Sequence, residues 1–194
     1  MSNVAVITGA AHGLGAELAK HFAKNGYSLA LTYLSSQKIV ENLANELKKT
    51  FKVQVFVYKL NAKNEQEVNM VFAKIIKDLG RVDVLVNNVG NFLYKPFSKT
   101  TNSEFADIIE SNIYSTLFCS RAALVSMRKN KSGHIINIGA VGAERFVLRE
   151  NSIPYFLAKN GVYILTKAMA WEEASSGIHI NMISPASMKT DIFK

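Results

Sequence analysis

Apolar, β-branched runs alternate with amphipathic stretches along the whole chain, and this alternation limits the fold more than any other feature. Strand candidates are Val4–Thr8, Ser28–Tyr33, Val53–Tyr58, Val84–Asn87, Ile135–Ile138 and Ile178–Ile183. Each is apolar at nearly every position, as expected of a strand buried on both faces. Helical periodicity fills the intervals over Leu14–Asn25, Gln37–Thr50, Glu65–Leu79, Asn102–Lys129 and Ile153–Ala174. Gly26, Gly80, Gly133 and Gly177 stand where helices should stop before a strand. Parallel neighbours need crossover connections, so the order predicts an α/β, doubly wound parallel sheet with helices on both faces. The 194 residues carry no repeat, linker or low-complexity segment, and 1–194 reads as one domain.

Bulk properties narrow the setting. A hydrophobic content of 48% against 20% charged residues suits a globular protein with a full core. The single cysteine, Cys119, allows no internal disulfide and fits a reducing compartment. Only Met1–Asn3 precede the first apolar run, and no stretch nears the ~20 apolar residues of a membrane span, so a cytoplasmic protein is expected. The formal net charge of +8 is spread over most of the helical segments rather than gathered with aromatics. A dispersed excess is read first as a solvated surface, next as a basic rim for anionic ligands, and only third as a nucleic-acid face.

Two motifs carry chemistry. Thr8-Gly9-Ala10-Ala11-His12-Gly13-Leu14-Gly15 follows the first strand and opens the first helix. Glycines there let backbone N–H groups approach a pyrophosphate, and the helix N-terminus turns its positive end toward it. The spacing is Gly-x-x-x-Gly-x-Gly, distinct from the commoner Gly-x-Gly-x-x-Gly, and a bare tight turn is the alternative reading. Far downstream, Tyr155 and Lys159 stand one helical turn apart. A phenol with an ordinary pKa near ~10 is a poor acid or base unless its anion is stabilised, and a lysine on the same face supplies that charge. Taken alone, each motif is weak; their order points to nicotinamide-dependent carbonyl or alcohol redox chemistry.

With these residues the chain resembles the short-chain dehydrogenase/reductases, whose fold is Rossmann-type. Asn87-Asn88-Val89-Gly90 is similar to their Asn-Asn-Ala-Gly motif, Asn112 to their helix Asn, and Tyr155-x-x-x-Lys159 to their active-site pair. Ile183-Ser184-Pro185-Ala186 with Met188 and Thr190 resembles their nicotinamide-contacting Pro-Gly-x-x-x-Thr segment. The resemblance implies that Tyr155 donates the proton, that Lys159 lowers its pKa and binds the nicotinamide ribose, and that Asn112 holds a relay water. It also implies a cofactor site of Gly9, Ala11, His12, Gly13, Leu14, Gly15, Tyr33, Ser35, Ser36, Asn61, Asn88, Val89, Gly90, Tyr155, Lys159, Pro185, Met188 and Thr190. No acid follows the second strand in Thr32–Lys38, so a 2′-phosphate would meet no like charge, and NADP(H) is expected over NAD(H). His12 replaces an Arg common in the NADP-dependent members, and Asn61 replaces an Asp near the adenine. No metal ligand set is assigned.

Three departures qualify the resemblance. The family's catalytic Ser aligns with Ala140, and losing one oxyanion donor can slow a reaction about 10²–10³-fold. The readings are an enzyme working through Tyr155 alone or with a replacement donor such as Ser152, a branch with different chemistry akin to the pteridine reductases, and a non-catalytic NADPH-binding or scaffold protein. Second, 3-oxoacyl-[acyl-carrier-protein] reductases of fatty acid synthesis are the most similar members, which implies docking of the carrier on Arg128, Lys129 and Lys131. Glu172 and Glu173 argue against it, and the cations also suit a helix C-terminus. Third, members usually continue about 50 residues past the Thr190 region, through a substrate-covering helix and a last strand. Apolar residues on more than one face of the two long helices (Phe105, Ile109, Ile113, Leu117 and Leu124; Val162, Leu165, Met169 and Trp171) predict a homodimer or homotetramer, with a crowded internal core as the alternative.

Overall fold

The structure, a computed structural model, describes residues 2–186. Six parallel strands form one sheet: β1 (Val4–Ile7), β2 (Ser28–Tyr33), β3 (Val55–Lys59), β4 (Val84–Asn87), β5 (Gly133–Ile138) and β6 (Ile178–Ile183), in the order β3-β2-β1-β4-β5-β6. Connecting helices are α1 (Gly13–Lys24), α2 (Gln37–Phe51), α3 (Glu65–Leu79), α4 (Asn102–Ile109), α5 (Ser115–Asn130) and α6 (Ile153–Glu173). The order reverses between β1 and β4, which pair with Ala5 opposite Val84 and Ile7 opposite Val86. Loops leaving these two strands diverge, and the crevice between them is where ligands bind in open α/β sheets.

The continuous apolar runs are explained by two cores, one on each face. Val6, Ala30, Leu85 and Ile135 point toward α3, α5 and α6, where they meet Phe72, Ile75, Ala123 and Met127. Their neighbours Ala5, Ile7, Leu29, Leu31 and Val86 point the opposite way, toward Ala19, Ala23, Val40 and Leu47 of α1 and α2. Alternate residues of one strand thus serve different layers, as the pleat demands. Three of the six strands, β2, β4 and β6, match the sequence expectation in both bounds, β1 and β5 shift by one or two residues at one end, and β3 shifts at both.

Two expectations need correction. The α-helical ladder is not continuous over residues 102–129: a π turn over Glu110–Tyr114 divides this helical stretch into α4 and α5. Nor does Gly133 stop α5. Lys131 takes the left-handed conformation there (φ 50°), and Gly133 already belongs to β5, where a side chain would collide with Met127. Gly80 and Gly177 do end their helical segments, with φ of 84° and 70°.

Phe72 is among the largest fully buried side chains and sits in the core beneath α3. Phe72→Ala is expected to lower unfolding stability by about 3–5 kcal/mol. Urea denaturation checks this, and a loss below about 1 kcal/mol would contradict close packing on that face.

Candidate functional site

The site begins where β1 runs out. Thr8 is buried, and its hydroxyl oxygen accepts the backbone N–H groups of Asn88 (2.9 Å) and Val89 (3.2 Å) while donating to the Val86 carbonyl (3.3 Å). Asn88 reciprocates, its amide donating to the carbonyls of Thr8 and Gly9, both at 3.1 Å. The loops after β1 and β4 are thereby tied together across the switch point. Gly9 turns with φ of 63° and Gly13 with 52°. A Cβ on Gly15 would lie 2.5 Å from the Gly9 carbonyl and 2.8 Å from the Asn88 amide, so only glycine lets α1 tuck beneath the turn. Ala11, Leu14, Val89 and Gly90 border this crevice in sequence. Asn88 thus builds the cradle, whatever else it touches.

At the other end of the crevice, His12 precedes α1 and Ser36 precedes α2, and neither side chain caps its helix. Instead His12 Nε2 and Ser36 Oγ lie 3.2 Å apart. Tyr33 ends β2 half-buried, Ser35 is exposed, and the first turn of α2 carries no acid. Two helix N-termini and a hydroxyl–imidazole pair therefore offer an anion a place without a competing carboxylate. Asn61, beyond β3, closes its own turn, with its side-chain oxygen accepting the Lys63 N–H at 3.2 Å.

Tyr155 and Lys159 lie in the first turns of α6, which Pro154 helps to start. Lys159 is only 6% exposed, and its ammonium donates to the Ile138 carbonyl at 2.7 Å and lies 5.7 Å from the Tyr155 ring centroid. Burial lowers its pKa to about 8. Tyr155 is half-buried, held edge-on by Phe92 (4.9 Å between centroids) and Phe156 (5.5 Å), and burial raises its pKa above the ordinary value. The expected lowering of the Tyr155 pKa is not present in this arrangement, because the Lys159 charge is directed to a backbone carbonyl.

Asn112 sits in the π turn, fully buried. Its amide NH₂ donates to the carbonyls of Asn91 (3.0 Å) and Ile108 (2.9 Å), yet its Oδ1 has no partner. That oxygen faces Gly90, where a Cβ would collide with it and stand 3.3 Å from the Lys159 ammonium. Gly90, Asn112 and Lys159 therefore share one small space that contains an unmet acceptor beside a cation, which is the chemistry of a hydroxyl or water site. The π turn itself was not anticipated. Its one signal is a mid-helix cluster whose hydroxyls bond back to the preceding turn, Ser115 to the Ser111 carbonyl and Thr116 to the Asn112 carbonyl.

Ala140 follows β5 buried, with only a methyl group to offer. Ser152 does not replace the missing hydroxyl, because its Oγ turns to the carbonyls of Arg149 (3.3 Å) and Glu150 (3.2 Å) in its own loop. The neighbouring Asn151, in the left-handed conformation (φ 57°), accepts the Lys95 N–H and donates to the Tyr94 hydroxyl, joining the loops on either side of Tyr155. Pro185 is half-buried just past β6, whereas Met188 and Thr190 lie outside the described residues. Arg128 makes a bidentate pair with the buried carboxylate of Glu173, so among the described residues it is the one of the three cations at the end of α5 that is engaged.

A lysine whose pKa falls from 10.5 to about 8 on folding opposes folding by about 3 kcal/mol at neutral pH. Between pH 8 and 10.5 the unfolded chain holds the extra proton, so stability from this group rises with pH and the penalty fades. Lys159→Met is expected to unfold at a higher temperature than the parent at pH 7. That advantage should shrink by pH 10, and a gap independent of pH would contradict a buried, charged Lys159.

Comparison with known proteins agrees with this geometry. The short chain dehydrogenase family model matches residues 3–194. The chain is 32% identical over 196 residues to the 3-oxoacyl-[acyl-carrier-protein] reductase FabG of Staphylococcus aureus, covering 99% of this chain and 77% of that one. It is 37% identical over 185 residues to the 1,6-dihydroxycyclohexa-2,4-diene-1-carboxylate dehydrogenase of Pseudomonas putida, covering 94% and 65%. Among solved structures, ElxO with NADP bound superposes with a TM-score of 0.91 at 35% identity, over 99% of this chain and 76% of that one. With the glycine turn, the switch-point crevice and the tyrosine–lysine turn all in one sheet end, the chain belongs to the short-chain dehydrogenase family.

Proposed function

We propose that the chain is an NADP(H)-dependent oxidoreductase that reduces a carbonyl to an alcohol, with Tyr155 as proton donor. The observation that carries the reading is the shared corner of Gly90, Asn112 Oδ1 and the Lys159 ammonium, on the same end of the sheet as the glycine turn. Bound NADPH supplies the hydride. Gly9, Gly13 and Gly15 leave backbone access for the pyrophosphate, and His12, Ser35 and Ser36 receive the 2′-phosphate between two helix N-termini. Lys159 turns from the Ile138 carbonyl to the ribose, and the orphan Asn112 oxygen holds a hydroxyl or water on the way to Tyr155. The phenol is protonated at neutral pH, and because burial raises its pKa, donation depends on a positive charge such as that of Lys159 turning toward the anion it leaves.

The substrate class proposed is a 3-oxoacyl thioester, supported by the similarity to FabG. Carrier docking through Arg128 is not supported, since Glu173 holds that guanidinium, which leaves Lys129 and Lys131 as contacts. Assembly with further copies would cover Val125, Leu157, Ile164 and Trp171 of α5 and α6, of which Trp171 is 85% exposed. Phe105, Ile109, Ile113 and Leu117 are half-buried, and Leu124, Val162 and Met169 already belong to the core, so the second apolar face is narrower than the sequence suggests. Among the described residues no helix is long and apolar enough to cross a membrane.

A second reading, an NADPH-binding protein without turnover, is favoured by Ala140 and by the inward-turned Ser152 hydroxyl. NADPH oxidation with acetoacetyl-coenzyme A separates the two. Slow turnover in the parent, a gain of about 10²-fold in Ala140→Ser and loss in Tyr155→Phe are expected for the enzyme. Tight NADPH binding with no turnover in either the parent or Ala140→Ser would support the second reading. For the cofactor, Ser36→Asp sets a carboxylate against the 2′-phosphate and is expected to weaken NADPH binding by about tenfold or more while sparing NADH, as read by cofactor fluorescence. Equal effects on both cofactors would remove Ser36 from the 2′ site.

A further inference from the structure

Beneath Tyr155 and Lys159, four buried side chains from four elements form one hydrogen-bonded row. Asn87, ending β4, donates through Nδ2 to Ser120 Oγ on α5 and to Asn137 Oδ1 on β5, both at 2.9 Å. Asn137 Nδ2 donates to Thr166 Oγ1 on α6 at 2.8 Å, and the Thr166 hydroxyl donates to the Val162 carbonyl at 2.6 Å. All four side chains are buried. The direction of the row is set at its α6 end. With its proton given to Val162, Thr166 must accept, so Asn137 turns its nitrogen to α6 and its oxygen to Asn87. Asn87 in turn presents nitrogen on both sides, and its own Oδ1 is left buried without a partner. An unpaired buried carbonyl opposes folding, so the row is not the most stable filling of a layer otherwise lined by Leu85, Ile135, Val162 and Met169.

The row lies where α6 is held against the sheet. Asn137 immediately precedes Ile138, whose carbonyl receives the Lys159 ammonium. Thr166 stands seven residues after Lys159, two turns along the same face of α6. Among the described residues these are the two side-chain hydrogen bonds joining β5 and α6. One of them is given up whenever Lys159 turns to another acceptor, and the other is not. Apolar packing around it is non-directional and permits small slides along the helix axis. A hydrogen bond of fixed direction does not.

We propose that Asn137 and Thr166 are positioning residues: their hydrogen bond fixes the depth of α6 on β5 and keeps Tyr155 and Lys159 aligned with the cofactor cradle when Lys159 leaves the Ile138 carbonyl. This rests on the assignment of Tyr155 and Lys159 made above. Thr166→Val preserves shape and removes the acceptor, while Thr166→Ser restores it. The double variant Asn137→Leu with Thr166→Val removes both members of the pair while Asn87 keeps its bond to Ser120, and it is the second test if the single variant unfolds.

The readout needs no substrate. Tyr155 ionisation is followed by ultraviolet difference absorbance against the matching Tyr155→Phe protein, with and without NADP⁺, beside the NADP⁺ dissociation constant and the melting temperature. In the NADP⁺-bound protein, Thr166→Val and the double variant are expected to move the Tyr155 midpoint by about one pH unit, with Thr166→Ser returning it to the parent value. If Tyr155 responds to NADP⁺ but its midpoint stays put in both variants while the melting temperature falls, the row is structural only and the proposal is overturned. If Tyr155 fails to respond to NADP⁺ in the parent, the assignment of Tyr155 fails first, and the positioning role with it.

Discussion

The hydroxyl of Thr8 is the joint on which the rest of the site depends. Past the end of β4 no strand carbonyl among the described residues accepts the part-buried N–H groups of Asn88 and Val89. One buried oxygen accepts both, and the Asn88 amide closes the reverse side on the carbonyls of Thr8 and Gly9. The glycine turn is thus held open rather than left to relax onto the crevice. Because Gly90 follows Val89 directly, the same joint sets where Gly90 meets Asn112 and Lys159. The Lys159 ammonium, beside Gly90, in turn reaches the Ile138 carbonyl at the end of β5.

Unmet electrostatic demands collect in this one quarter of the molecule. Among the described residues the buried side-chain oxygens without partners are those of Asn87, Asn112 and Asn160, and the buried ammonium of Lys159 lies near the Asn112 oxygen. Elsewhere charges are paired and partly solvated, as Lys63 is with Asp107 and Glu110, or Lys95 with Glu104. Energy stored as desolvation is available to a ligand that supplies the missing partner, and apolar filling would forfeit it. That asymmetry is why the tyrosine–lysine corner reads as a functional site rather than as an irregular patch of core.

How far the chain could be read in advance follows from the range of the interactions involved. The strands were legible because burial on both faces leaves an unbroken apolar run, and the glycine turn because a backbone that must approach a phosphate tolerates no side chain. The π turn was not, since one extra residue inserted between Ile109 and Ser115 changes no apolar periodicity strongly enough to show. Pairings across long separations were hidden too. Arg128 looked free for a partner until Glu173, at the end of α6, took its guanidinium. Ser152 looked like a spare donor until the left-handed Asn151 turned the loop and set the hydroxyl on its own carbonyls. His12 and Ser36 became a pair only because two βα turns meet at one sheet end.

Ala140 gains its meaning from the groups around it. A methyl at that place removes one donor, and no hydroxyl of the adjoining loop is turned to compensate, so the burden of polarising a carbonyl falls on Tyr155. Donation requires the protonated phenol, and burial favours that form. Alcohol oxidation would require the phenolate, which the same burial opposes and which only a charged neighbour directed at the hydroxyl could stabilise. In the described arrangement Lys159 is directed elsewhere and is itself poised to lose its proton near pH 8. On the proposed reading the two departures act together: the lost serine leaves the carbonyl oxygen one donor short and the desolvated tyrosine leaves its anion unsupported, so both raise the same barrier and slow reduction and oxidation alike until Lys159 turns toward the phenol.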